Sequence, residues 1–273
     1  MLNSFETIKV ILLGIIQGIT EWLPISSTGH MILFEHWFPL DFSSQFNNMF
    51  FIFIQIGSVL AVILLFIKVL NPYHPSHTPQ HRQHAFVLWI KIAVASFPAA
   101  VVGFMFDDIV DLYLFKPSVI AFTLLLYGLL FIYIERRNVE PTITKISDIG
   151  FKEAFILGIF QTFAIIPGTS RSGATIVGAL WLGCSRTVAA EFSFFMSIPV
   201  LLGYGMVKFI KAGFGWSSYE WMMLALGFII AFLVSIVSIK VLMNFVKKHS
   251  FTAFAYYRIV LAFLVVILLV FIG

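Results

Sequence analysis

Apolar residues run along this chain in blocks of about twenty, not at the spacing of a single half-buried face. Six blocks, near 48–69, 87–106, 118–135, 187–210, 220–244 and 252–272, hold enough consecutive apolar residues to cross a bilayer as helices. Two more, near 8–37 and 152–183, are interrupted midway. "PISSTGH" (24–30) breaks the first and "PGTSRSGAT" (167–175) the second, leaving flanks too short to cross alone. Pro24 and Pro167 end helices, and the Ser, Thr and Gly that follow start new ones. Irregular backbone at membrane depth persists only where protein or a wet cavity surrounds it. Both blocks therefore predict re-entrant helix–loop–helix hairpins whose tips meet inside the membrane. The predicted fold is an all-α integral membrane protein, one domain of six transmembrane helices and two hairpins.

The interrupted blocks resemble each other. "LLGIIQGITEWLPISSTGH" begins at Leu12 and "ILGIFQTFAIIPGTSRSGAT" at Ile156. Gly14 matches Gly158 and Gln17 matches Gln161 at an offset of 144. Pro24 and Ser27 match Pro167 and Ser170 at 143, after a one-residue slip. Each half continues with three spans, an odd number, so the second half (152–272) must lie inverted relative to the first (8–135). Inverted repeats with broken helices place a substrate site near the bilayer midplane.

Charge sets the orientation. Lys68, Arg82, Arg136, Arg137, Lys145, Lys152, Arg186, Lys240, Lys247 and Lys248 collect on the face away from the first hairpin's mouth. The mouth side holds Lys9, Lys116, Lys208 and Lys211 among Asp41, Asp107, Asp108, Asp111 and Glu220. By the positive-inside bias the first face is cytoplasmic, and both termini and the first mouth face outside. Composition agrees: 60% of the 273 residues are hydrophobic and 11% charged, too greasy for a soluble domain. The formal charge of +4 belongs to loops, so no nucleic-acid partner is expected. A lone Cys184 excludes an intrachain disulfide. The first segment, with Glu6, Lys9, Gln17 and Glu21, does not read as a cleaved signal peptide.

The hairpin tips carry the chemistry. A helix N-terminus offers unpaired N–H groups and a positive dipole end. Two of them face to face would enclose a multiply charged anion, with phosphate the natural candidate. Arg171 adds a planar fork suited to phosphate oxygens. At membrane depth it costs at least ~2.5 kcal/mol, so a partner or ligand must retain it. Ser26, Thr28 and Ser170 are candidate phosphate contacts or plain helix caps, and Ser172 and Thr175 are phosphate donors or back-bonded to their own helix. Glu21 lies one turn after Gln17, so both side-chain oxygens share a face that could hold a hard cation, Mg²⁺ or Ca²⁺; Glu21 could equally pair with Arg171. His30, three residues beyond Ser27, is a candidate base for that serine, or a nucleophile.

Three other polar features are set aside. His74, His77, His81 and His84 lie in "HPSHTPQHRQH", where Pro75 and Pro79 predict a solvated loop rather than a metal site. Asp107, Asp108 and Asp111 ("DDIVD") read as an acidic external loop. Gln55 in "IQIGS" reads as packing between helices.

"QGITEWLPISSTGH" and "PGTSRSGAT", with "IQIGSVLAV" and "FSFFMSIPVLLG", resemble the undecaprenyl-pyrophosphate phosphatase family, also called the bacitracin-resistance family, over the whole chain. The resemblance implies a bacterial plasma-membrane enzyme that removes the terminal phosphate of the C55 isoprenyl pyrophosphate carrier, with a site open to the outer face and membrane lipid around it. The family's motif residues fall on Glu21, Ser26, Ser27 and His30 and on Ser170, Arg171, Ser172 and Thr175. Gln17 stands where many relatives carry glutamate, which leaves a divalent metal one negative charge short. The expected mechanism is metal-assisted phosphoryl transfer: Glu21, Gln17 and Arg171 neutralise the pyrophosphate, and Ser27 attacks with His30 as base. Attack by His30 itself, or by water, remains open, as does a homodimer. A transporter or flippase for a polyprenyl phosphate would need the same anion site but no nucleophile. A purely structural protein does not explain the intramembrane arginine.

Overall fold

A computed structural model describes residues 4–272, without the side chains of 107–109, 111 and 269–272. Eleven α-helices follow one another among the described residues: α1 (Ser4–Thr20), α2 (Ser27–Trp37), α3 (Ser44–Leu65), α4 (Ile67–Leu70), α5 (Pro79–Tyr113), α6 (Pro117–Arg136), α7 (Phe151–Thr162), α8 (Arg171–Trp181), α9 (Arg186–Ala212), α10 (Ser218–Val246) and α11 (Thr252–Ile272). They contain no β-strand, only an isolated bridge between Ile143 and Cys184. Five helices are long and apolar enough to cross a membrane: α3, α5 up to Phe106, α6, α9 and α10. The sixth expected span, 252–272, is α11, apolar over a shorter described stretch, Thr252–Leu268. This pattern fits a multi-pass membrane protein.

Glycine decides how closely these helices approach. A Cβ on Gly14 would sit 3.0 Å from the Gly227 carbonyl oxygen of α10, and one on Gly158 would sit 2.5 Å from that of Ala95 on α5. Backbone-to-backbone contact of this kind is how apolar helices associate where lipid removes the hydrophobic drive between them. Helix α1 packs on α10, and α7 packs on α5. Between these pairs, α3 meets α9 and α6 meets α11. A large apolar core gathers Trp22, Phe131, Phe192, Phe194, Phe195 and Phe251.

The start of α1 and the end of α2 lie together, where Lys9 Nζ donates to Glu6 Oε1 (2.7 Å) and to the Pro39 carbonyl (2.6 Å). Gln45 bonds Ala212 O at the same end, at 3.2 Å. At the other end, Glu135 accepts from Arg186 (2.6 Å) and from the Phe251 N–H (2.8 Å). The segment after α8 joins there, as the Thr142 and Ile143 N–H groups donate to Gly183 O.

Helix α5 departs from the sequence reading at both ends. Pro79, expected to break a helix, is its first residue, and Thr78 caps it by accepting from His81 N. Proline suits that position because its missing N–H would have had no partner there. His81 and His84 therefore ride on a helix and not in a loop. The backbone of the expected acidic loop is also helical, since α5 continues to Tyr113; the side chains of Asp107, Asp108 and Asp111 lie outside the described residues.

Candidate functional site

Both interrupted blocks break in the same unusual way. Helix α1 stops at Thr20 and α2 begins after Ser26; α7 runs into a 3₁₀ turn at Phe163–Ile165, and α8 begins after Ser170. The two cap serines have φ of 72° and 69°, where side chains are strained by about 1–3 kcal/mol each. Each cap hydroxyl accepts from a backbone N–H three residues on, Gly29 for Ser26 and Gly173 for Ser170. The serine equivalent to Ser170 is thus Ser26, not Ser27. The register of 144 that joins Gln17 to Gln161 returns at the caps, while Pro24 and Pro167 keep their offset of 143.

The breaks are held against each other by Arg258, a fully buried residue of α11. Its guanidinium donates to Pro24 O (3.1 Å) in the first break and to Gly168 O (2.9 Å) and Thr169 O (3.0 Å) in the second. It also bonds Thr123 O and Leu124 O of α6, at 3.3 and 3.4 Å. Five backbone acceptors satisfy one planar fork, a task that an ammonium group could not copy. Thr123 Oγ1 adds a bond to Pro167 O at 2.8 Å. Gly168, with φ of 86°, lies so close to Ile120 that a Cβ would come within 2.8 Å of its backbone.

Beside this seam lies a buried polar cluster. Glu21 Oε1 accepts from Arg171 Nη2 at 3.1 Å, and Oε2 accepts from Gln17 Nε2 (3.1 Å) and Ser27 Oγ (3.4 Å). The Arg171 guanidinium also reaches Ser193 O (2.8 Å) and lies 5.5 Å from the Trp22 ring centre. Its Nε is buried with no hydrogen-bond partner. Ser27, from the first break, and Arg171, from the second, thus share one carboxylate.

Other expected residues are engaged differently. His30 does not meet Ser27. Its Nδ1 donates to the Ser26 carbonyl (2.7 Å), which fixes the neutral ring with Nε2 as acceptor for the Tyr257 hydroxyl, also at 2.7 Å. Ser172 ties the breaks together by donating to Leu23 O (3.3 Å) and Glu21 O (3.4 Å), and its hydroxyl lies 3.1 Å from that of Ser170. Thr175 back-bonds to Arg171 O (2.9 Å) and meets Ser193 Oγ at 2.6 Å. Thr28 is half-buried on the first turn of α2. Gln17 turns its amide nitrogen, not its oxygen, to Glu21.

Among the described residues no three His, Cys, Asp or Glu side chains group to hold a metal. That covers the histidine segment, where the His74, His77 and His81 rings sit 5.4 and 5.6 Å apart in sequence order. One carboxylate with one amide suits only a cation that takes its remaining ligands from phosphate and water, as Mg²⁺ does.

The sequence reading missed Arg258, Tyr257 and Ser193. The rule that singled out Arg171, an arginine inside an apolar block, applies equally to Arg258 in "AYYRIV". Nothing in the sequence pairs Tyr257 with His30, because 227 positions separate them.

A family model described as "Bacitracin resistance protein BacA" matches residues 10–264. "Undecaprenyl-diphosphatase 1" of Clostridioides difficile (strain 630) is 48% identical over 263 residues, 96% of each chain. "Undecaprenyl-diphosphatase" of Enterococcus faecalis is 48% identical over 271 residues, 98% of each. That of Acetivibrio thermocellus is 48% identical over 264 residues, 96% of this chain and 97% of the relative. With both interrupted signatures inside the matched region, the chain belongs to the bacitracin resistance protein BacA family.

Proposed function

We infer that the protein is an undecaprenyl-diphosphatase of the bacterial membrane, which removes the terminal phosphate of undecaprenyl pyrophosphate and returns the monophosphate carrier to cell-wall synthesis. Its relatives' names support the reaction. The structural observation that carries it is the meeting of two serine-capped helix N-termini over one Glu21–Arg171 pair.

In this reading α1–α2 and α7–α8 are re-entrant hairpins, and the halves 8–135 and 152–272 form an inverted repeat. The shared ends of each hairpin, the matching strained caps and the reciprocal packing of α1 on α10 and α7 on α5 support it. Six spans then cross the membrane. The mouth of the first hairpin and both termini face outside, following the lysine and arginine bias.

The diphosphate is held by the first-turn N–H groups of α2 and α8 and by Arg171, whose Nε is free to donate. Ser27 Oγ attacks the terminal phosphorus and the bond to the bridging oxygen breaks, so undecaprenyl phosphate leaves. The serine proton passes to Glu21 Oε2, which already accepts from that hydroxyl. Water then attacks the phosphoserine phosphorus, the bond to Ser27 Oγ breaks, inorganic phosphate leaves, and Glu21 gives its proton to solvent, restoring the site. A divalent cation, held by Glu21 and, once its amide turns its oxygen inward, by Gln17, would supply charge neutralisation of the phosphate oxygens. The second reading makes His30 the base or the nucleophile and requires its Nε2 to leave Tyr257.

The test uses purified protein in detergent with farnesyl or undecaprenyl pyrophosphate and Mg²⁺ or Ca²⁺. Phosphate release that is lost in Ser27→Ala and Arg171→Ala supports the enzyme. A well-folded wild type that releases none would overturn it and favour a carrier.

A further inference from the structure

An apolar cavity of about 480 Å³ lies between α1 and α11, within the roughly 300–1,000 Å³ typical of small-molecule sites. Ile16, Ile19 and Leu23 line one wall, Phe254 and Tyr257 the other, and His30 stands at its polar end. Tyr257 is 46% exposed and Ile19 38%, so the cavity opens sideways to the surroundings of the helices. In a membrane those surroundings are lipid tails. His30 bonds the carbonyl of Ser26, the cap immediately before Ser27. The groove therefore ends one residue from the proposed nucleophile.

We propose that this α1–α11 groove seats the first isoprene units of the substrate's chain, with Tyr257 at the junction between chain and phosphate site. The proposal rests on the phosphatase reading, which supplies an occupant with a charged head and an apolar tail. The groove matches that order: apolar side chains along its length, then a histidine and a tyrosine hydroxyl held together at 2.7 Å. A chain lying against Phe254 and Ile19 would place its diphosphate at the first break, beside Ser26 and Ser27. The Tyr257 and His30 rings are stacked, 9° apart in plane, and so form one wall at the turn from chain to head. A second apolar cavity, about 280 Å³ between α6 and α11, has Phe122, Leu125 and Phe263 in its lining but none of the proposed phosphate-site residues. It serves as the comparison.

The experiment measures kcat and KM of the purified full chain in detergent for allylic diphosphates of five, ten and fifteen carbons. In wild type, kcat/KM is expected to rise with chain length. Ala253→Trp places an indole in the groove from an exposed position of α11. It is expected to lower the fifteen-over-five preference about ten-fold, chiefly through KM, because burial of the added methylenes is lost. Ser118→Trp, which fills the second cavity, is expected to keep the wild-type preference. If Ala253→Trp does not purify as a folded protein, Ile19→Ser is measured in its place, with the same outcome expected. An unchanged preference in the groove variants means that ordinary membrane lipid fills the groove, and overturns the proposal. An equal loss in Ser118→Trp overturns it too. Wild type inert toward every chain length would instead sink the phosphatase reading itself.

Discussion

At the scale of single residues, Glu21 and Arg171 illustrate how a buried charge is retained. Side-chain exposures of 7% and 8% leave neither group water to fall back on. Removing one partner strands the other at a cost of about 3–5 kcal/mol. Glu21→Gln is therefore expected to lower the melting temperature in detergent as well as abolish phosphate release. The cap serines allow a finer test. Ser26→Ala and Ser170→Ala lose a cap worth about 1 kcal/mol and must still adopt positive φ, whereas glycine at either position loses only a few tenths and relieves the strain. Melting temperatures should rank serine and glycine above alanine at both positions. If alanine equals glycine, the strained conformation is absent. Arg258→Lys keeps the charge but cannot serve five carbonyls, and should destabilise the protein by at least about 2 kcal/mol while activity falls.

At the scale of elements, packing depends on positions where no side chain fits. A Cβ on Gly57 of α3 would lie 2.5 Å from the Phe228 carbonyl oxygen of α10, so Gly57→Ala must push two long helices apart. Overpacking of this kind costs about 1–3 kcal/mol, read as a fall in melting temperature. Gly103, with open space around its Cβ position, provides the contrast, and Gly103→Ala should be nearly neutral or mildly stabilising. The hydropathy blocks foretold these helices because twenty apolar residues in sequence are a local property. The proline reading, not the hydropathy, misjudged the start of α5, where Pro79 begins the helix that it was expected to break. A proline marks a helix boundary without saying on which side of it the helix lies.

At the scale of the whole molecule, the native cysteine reports on packing and introduced ones on orientation. Burial, with a smaller contribution from the charge of Glu153, pushes the Cys184 thiol up to about 12. At neutral pH it stays protonated and shielded, so native protein should resist N-ethylmaleimide and react once unfolded in detergent. In a Cys184→Ser background, His74→Cys and Asp41→Cys mark opposite ends of the helices. An impermeant maleimide added to intact cells should label position 41 and spare position 74. Labelling of position 74 alone would reverse the orientation inferred from charge.

Local sequence established that this chain is helical, where its apolar blocks lie, and that Pro24–His30 and Pro167–Thr175 are special. Those are properties of neighbouring residues: runs of apolar side chains, helix breakers, and hydroxyls placed to cap. Which side chains meet was settled by the folded arrangement alone. Ser27 faces Glu21 and not His30, Ser172 and Thr175 join the framework, and Arg258 clamps both breaks from a helix more than two hundred positions after Pro24. Hydrogen bonds between segments so far apart arise from helix packing in three dimensions, and a one-dimensional pattern of apolar and polar residues carries no record of them.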